Sequence, residues 1–326
     1  MRFSPYLVAV TCLIGMSLGA WAQEGATVQT NEGVVIKPAK ELDVFVNGKY
    51  FTTYHYSDDY EKPFLWPVLG EDSVEMTRPW PMGEPEEERT DHPHHKSIYV
   101  AYGDMNGVDC WSQAEDSGRQ QSGEPTYGAN EDYGWIKADN TWVDKDGNPI
   151  VAESREYRFY PAPESARIFD VTVTFTAKYG DVKFGDTKEG GIAALRIRDQ
   201  IRGDRNGQLT NAAGQKGEKE CWGKPAAWCD YSGTFEDGKV RGITIFDNPN
   251  NLRYPTRWHA RDYGLLGANC FGLSYFTKKE EKQLNGDYLL ENGKSLTFSY
   301  RFYVHSGTPE EAKVAEQYET YIKDVQ

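Results

Sequence analysis

Apolar and polar residues alternate with a period of two along much of this chain, the pattern of strands with one face in a core. Residues 167–179 (RIFDVTVTFTAKY) alternate most strictly and predict a half-buried strand. Shorter runs of the same character lie at 42–46, 49–56, 64–69, 97–102, 134–138, 140–143, 150–160, 182–184, 191–201, 239–246, 270–276 and 295–304. Asn47-Gly48 is a strong hairpin signal between the first two, and 145–148 (KDGN) predicts a second hairpin turn. Residues 111–133 and 203–220 are polar and read as long loops. Residues 247–268 read as irregular, and 83–90 as an acidic exposed loop reaching toward a histidine cluster that follows it. Only the C-terminus predicts a helix. Thr308 would be its N-cap, Pro309 its first residue and Glu311 the partner in a capping box, with Ala312, Ala315, Tyr318, Tyr321, Ile322 and Val325 as the apolar stripe.

Many short strands with frequent turns and one terminal helix predict an all-β fold, a large antiparallel β-sandwich with long loops. No fixed-period repeat is present, which argues against a propeller or solenoid. With no break in composition, residues 41–326 are expected to form one domain after a flexible lead-in at 23–40.

Residues 1–22 predict a signal peptide. Arg2 supplies the positive start, 7–18 the apolar run, and Ala20-Trp21-Ala22 a cleavage site before Gln23. The expected product is exported, periplasmic or extracellular. No later stretch approaches the roughly 20 apolar residues a spanning helix needs. Fifty Asp and Glu against 36 Lys and Arg leave a formal net charge of −14, with no basic patch. Nucleic acid and anionic membrane are therefore poor partners. Beyond Cys12 in the leader stand Cys110, Cys221, Cys229 and Cys270. An even number permits two disulfides in an oxidising compartment, Cys221 with Cys229 and Cys110 with Cys270, and buried free thiols are the alternative.

The chemistry concentrates at 91–95, Asp-His-Pro-His-His, which holds three of the six histidines of the chain. In an extended loop His92 and His94 would face one side and His95 the other. Paired imidazoles suit proton transfer, and they also suit a divalent metal if His259 or an Asp adds a third ligand. A second strip, 257–264 (RWHARDYG), would place Arg257, His259 and Arg261 on one face by alternation, apt for a carboxylate or sugar hydroxyls. Asp262 and Tyr263 belong to the same strip. In 222–231, Lys224 and Asp230 are candidate polar groups and Trp222 a candidate ring-stacking residue, as are Trp80 and Trp111 elsewhere; Arg78 is a further substrate-binding candidate. Asp186, Lys188 and Glu189 sit in a Gly-flanked loop and could supply a carboxylate.

No dinucleotide fingerprint, Walker loop, Gly-x-Ser-x-Gly elbow or His-Glu-x-x-His motif occurs. Three segments carry a family resemblance: 66–82, with Trp-Pro-Val-Leu-Gly and Thr-Arg-Pro-Trp-Pro-Met; 91–109, with Asp-His-Pro-His-His-Lys-Ser and Gly-Asp-Met-Asn-Gly-Val-Asp; and 257–265. In these the chain resembles the PmoA-like family of exported bacterial proteins, a domain of unknown function. That resemblance implies a β-sandwich, of the mutarotase-like supersandwich kind, in organisms that degrade polysaccharides.

The expected function is an exported carbohydrate-active enzyme, a glycoside hydrolase, lyase or epimerase acting on a poly- or oligosaccharide. His92, His94, His95, His259, Asp230 and Asp262 are the catalytic candidates. Arg78, Trp80, Trp111, Trp222, Lys224, Arg257, Arg261 and Tyr263 are the substrate-binding ones. No cofactor motif is present. A divalent metal held by His92, His94 and His259 is the one cofactor these residues would admit. The alternatives are a non-catalytic glycan-binding sandwich and a His-ligated metal-dependent oxygenase.

Overall fold

The computed structural model describes residues 33–84 and 88–325. The signal peptide expected at 1–22 lies outside them. The described residues form nineteen strands. The first seven are β1 (Val34–Pro38), β2 (Leu42–Val46), β3 (Lys49–His55), β4 (Phe64–Trp66), β5 (Ile98–Tyr102), β6 (Arg119–Ser122) and β7 (Thr126–Ala129). Then come β8 (Gly134–Val143), β9 (Pro149–Tyr160), β10 (Ala166–Thr176), β11 (Val182–Phe184), β12 (Gly190–Arg196) and β13 (Gly207–Asn211). The last are β14 (Trp228–Thr234), β15 (Val240–Asp247), β16 (Trp258–Arg261), β17 (Leu265–Ala268), β18 (Tyr288–Leu290) and β19 (Ser295–Ser306).

All strand pairs are antiparallel. One sheet has the order β1-β2-β3-β4-β5-β12-β17-β16 and the other β13-β14-β15-β19-β10-β9-β8-β6, with β7 also on β8; β11 and β18 form a small ribbon. Inward side chains of the two large sheets share one core. Phe51 of the first sheet meets Phe159 and Phe169 of the second, and Phe169 stacks parallel on Phe302 at 4.9 Å. Edge-to-face and offset ring pairs of this kind add to the burial term that holds the layers together. The fold is thus an all-β sandwich, as the alternation predicts. No helix of the described residues is long and apolar enough to cross a membrane.

The hairpin at Asn47-Gly48 forms as expected, with both residues left-handed (φ 51° and 75°) and Val46 paired to Lys49. Other expectations change. The lead-in at 23–40 contains β1, paired residue for residue with β2. The long loop at 111–133 contains β6 and β7, and 203–220 contains β13 and a short helix α1 (Gly217–Cys221). The strands β6, β7 and β13 are polar because one face of their sheet meets water, so apolar periodicity cannot find them. Residues 270–276 read as a strand but end in a helical turn, α2 (Leu273–Phe276).

The C-terminal helix α3 runs Val314–Asp324. The capping box does form, with Thr308 N–H donating to Glu311 Oε2 (2.8 Å) and Glu311 N–H to Thr308 Oγ1 (3.3 Å). It closes one separate turn, because Lys313 turns left-handed (φ 52°) before α3 starts. That break rotates the stripe. Val314 is buried with Tyr318 and Tyr321 against Phe246 and Tyr303, and Ala315 faces solvent.

All four cysteines of the described residues are buried free thiols. Cys221 and Cys229 touch through a thiol hydrogen bond. The Cys110 thiol lies by Gly118 and Lys62 and that of Cys270 by Arg253, so those two keep different neighbours. Burial pushes the Cys110 thiol up to about 12, which leaves it unreactive as a nucleophile.

Candidate active site

Two distant segments build one cleft on the outer face of the first sheet. The supporting strand is β5, buried along its whole length. Ile98, Val100 and Tyr102 enter the main core, while Tyr99 and Ala101 carry a second apolar cluster with Trp111, Phe64, Ala194 and Leu265 on the other face. The histidine segment rests on that second cluster.

Residues 92–95 are not extended. His95 N–H donates to the His92 carbonyl (3.0 Å) across a reverse turn containing Pro93, and His92 is left-handed with φ 44°. The turn brings all three imidazoles to one place, against the side-by-side alternation expected for an extended loop. The rings of His92 and His95 are parallel with centroids 4.9 Å apart, and His94 meets them edge-on at 5.6 and 4.3 Å. A non-glycine residue in the left-handed region costs free energy, and such strain persists where surrounding contacts enforce it.

The second segment is β16. Trp258 and Ala260 enter the main core, so the intervening His259 and Arg261 point outward. Together with Tyr263 they meet the imidazoles across a cleft of about 440 Å³, completed by Trp111, Ser112, Lys188 and Glu189. Tyr263 stacks on His92 at 5.2 Å and lies under the guanidiniums of Arg196 (4.8 Å) and Arg261 (5.4 Å). The loop bearing Lys188 is held from behind by Asn269, whose Nδ2 donates to the carbonyls of Thr187 (3.0 Å) and Lys188 (3.2 Å).

Electrostatics keep most of the cleft imidazoles neutral. Burial, with the Lys62 charge behind it, lowers His94 to about 3. Burial, then Lys188 and Arg261, lowers His259 to about 3. His95 is driven well below its usual value by burial and then by His94. The ring of His259 hydrogen-bonds the Lys188 backbone, and its Nδ1, like that of His95, is buried with no partner. Buried polar atoms left without a partner call for an explanation, and a bound ligand is one. Burial raises Tyr263 and keeps its phenol protonated. Lys188 is lowered by burial and Arg261, and it pairs with Glu189.

A depressed histidine stabilises the fold above its unfolded value near 6.5, and that contribution is lost as pH falls toward about 3, because the unfolded chain takes up the proton first. The stability advantage of wild type over His259→Asn is therefore expected to narrow by roughly 1.4 kcal/mol per pH unit between about pH 6 and pH 4. Denaturant titrations at several pH values measure it. A gap independent of pH would mean that His259 is protonated in the fold.

Beneath the cleft lies a charged floor, of which sequence reasoning named only Arg78. Arg78 and Arg196 have fully buried side chains and converge on one carboxylate, Asp91. Arg78 also donates from Nη2 to the His92 carbonyl (2.9 Å). Burial, then Arg78, lowers Arg196 to about 10. Burial opposes ionisation of Asp91, but the pull of Arg196 and Arg78 prevails and its pKa is lowered. Lys62, buried behind Trp111 and donating to its carbonyl (3.1 Å), falls to about 7 through burial and then Lys96. Asp91 could have been noticed as the carboxylate adjoining His92. Arg196 and Lys62 sit at the end of a strand and in a turn, with no local signal.

Of the sequence candidates, His92, His94, His95, His259, Arg261, Tyr263, Trp111, Lys188 and Glu189 line the cleft. Trp111 is only 1% exposed and forms wall rather than an open stacking face. Arg78 lies below it. Arg257 is tied to Glu280 (2.9 Å) and the Gly223 carbonyl (2.7 Å) and does not line the cleft. Trp222 packs on Phe276, and neither Lys224 nor Trp80 is among the lining residues. The Asp262 carboxylate accepts from the Glu218 N–H (3.0 Å) at the start of α1. Asp186 accepts from the N–H groups of Ser274 (2.9 Å) and Gly286 (2.7 Å), a loop clamp.

Asp230 is on the far side of the sandwich. Cys229 and Tyr231 point into the core, so Asp230 points out of the second sheet, where Thr244 (2.7 Å) and His305 (2.8 Å) hold it in full burial. Among the described residues no three His, Cys, Asp or Glu side chains gather to hold a metal ion. The metal set expected from His92, His94 and His259 is not assembled. Within that set His92 and His94 meet edge to face with centroids 5.6 Å apart, and His259 lies against Trp111 at 6.4 Å.

A family of unknown function, DUF6807, matches residues 41–319, and the chain belongs to it. That match does not link the chain to PmoA-like proteins. No curated protein matches the chain.

Proposed function

We propose that this is a carbohydrate-active enzyme that abstracts a proton beside a carboxylate, a lyase or epimerase acting on uronate-bearing poly- or oligosaccharides. The observation that carries this reading is the make-up of the cleft wall. Four imidazoles, a phenol and the cations Lys188 and Arg261 line it, against one carboxylate, Glu189, which is engaged by Lys188. A glycoside hydrolase usually needs two carboxyl groups facing each other about 5–9.5 Å apart. Here the supply is of imidazoles and cations.

Arg261 and Lys188 would hold the sugar carboxylate and so acidify the adjacent C–H. An imidazole takes that proton. In elimination the C–H electron pair becomes the new C=C bond, the glycosidic C–O bond breaks, and the leaving oxygen takes a proton from the Tyr263 phenol, which burial keeps protonated. In epimerisation the same carbon is reprotonated from the opposite face. The apparent signal peptide and acidic balance of the chain fit an exported enzyme of this kind.

Incubation with panels of polyuronates and neutral glycans tests the proposal. Ultraviolet-absorbing unsaturated ends, or solvent deuterium incorporated beside the carboxylate, are expected from polyuronates alone. New reducing ends without unsaturation would indicate hydrolysis and overturn it. Binding with no chemical change would mark a glycan-binding protein. Removing one carboxylate clamp, Arg261→Met, is expected to raise KM for the uronate substrate by about tenfold or more, as loss of a charged hydrogen bond of roughly 1.5–3 kcal/mol implies.

A further inference from the structure

The three clustered imidazoles are not equivalent. His92 has 40% of its side chain exposed, and of the cleft histidines it is the one with a carboxylate beside it: its Nδ1 lies 3.2 Å from Asp91 Oδ2. The other oxygen of Asp91 is fixed from below, 2.6 Å from Arg78 Nη1 and 3.2 Å from Arg196 Nη2. Arg78 grips the same unit twice more, through the carbonyls of His92 (2.9 Å) and Arg89 (3.4 Å). Two fully buried guanidiniums thus hold a half-exposed carboxylate against an imidazole whose own backbone is left-handed. A salt bridge serving stability alone would not need the strained residue at its outer end.

Resting on the proton-abstraction reading, we propose that Asp91 is the positioning residue of the cleft and His92 its base. Asp91 takes the Nδ1–H of His92, and the Nε2 lone pair is left facing the sugar. A carboxylate behind an imidazole fixes its tautomer and steadies the imidazolium formed when it accepts a proton. The Nδ1 contact, at 3.2 Å, is a close approach and not an aligned hydrogen bond, as catalytic contacts often are before substrate binds.

The tautomer of His92 is the test, and it requires no substrate. In full-length protein labelled with ¹⁵N-histidine, with the resonance assigned through His92→Gln, the neutral imidazole of His92 is expected to carry its proton on Nδ1. A proton on Nε2 in the wild type would overturn the proposal, whether or not any variant folds.

In Asp91→Asn the amide oxygen must keep facing the two arginines, so its NH2 group is turned toward His92. The tautomer is then expected to invert, and kcat on a uronate substrate to fall by roughly 10²–10⁴-fold with little change in KM. An unchanged tautomer in the folded variant would also overturn the proposal. A correct tautomer without lyase or epimerase activity would leave the Asp91–His92 unit standing and sink the proposed function instead.

Discussion

His92→Asn is expected to lower kcat on the uronate substrate by roughly 10²–10⁴-fold, the span general-base removal usually produces, while KM stays near its wild-type value. Asparagine is chosen because it tolerates the left-handed backbone that His92 adopts, so the reverse turn survives. The side chain is among the more exposed at the site, and stability should change by no more than about 0.5 kcal/mol. Steady-state kinetics with a thermal melt on the same sample measure both. The contrast with His94 is informative. His94 stays neutral because burial holds it near 3, too low for a base at neutral pH, so His94→Asn is expected to act mainly through KM. Equal losses of kcat in the two variants would contradict the assignment of His92 as base.

Asp230→Ala is expected to cost about 1–3 kcal/mol of folding stability, the cost of leaving buried hydrogen-bond partners unsatisfied. Its carboxylate is fully buried between Thr244 and His305 on the outer face of the second sheet, and truncation strands both. The His305 ring fits there because Gly242 has no side chain; a Cβ would stand 2.7 Å from its Cε1 and 2.6 Å from the Ser232 Cβ. With the sandwich core between Asp230 and the cleft, catalysis below the melting transition should be retained. Chemical denaturation and activity at low temperature check the two halves. Native stability with lost activity would show that Asp230 does chemistry and that the working site is elsewhere.

Much of the sandwich was readable because inward strands obey a local rule. The strictly alternating 167–179 became β10, and Asn47-Gly48 became the turn between β2 and β3. The strands that escaped notice, β1, β6, β7, β13, β14, β16, β17 and β18, are short, or polar on their outer faces, or buried on both. Their existence depends on a neighbouring strand to pair with, and that neighbour is set by tertiary contacts. The helix capping signal was correct chemically but mislocated, since one left-handed residue, Lys313, separates the capped turn from α3.

By itself the sequence determined the fold class, the density of imidazoles at 92–95 and the outward face shared by His259 and Arg261, because each follows from neighbours a few positions apart along the backbone. Only the tertiary structure decided which charged groups meet. It placed His259 opposite His94, sank Arg78 and Arg196 beneath Asp91, sent Asp230 to the other side of the sandwich and gave Arg257 to Glu280. Such choices rest on burial and on charges brought within a few ångströms by strands far apart in the chain, and a linear pattern carries no information about either distance or solvent.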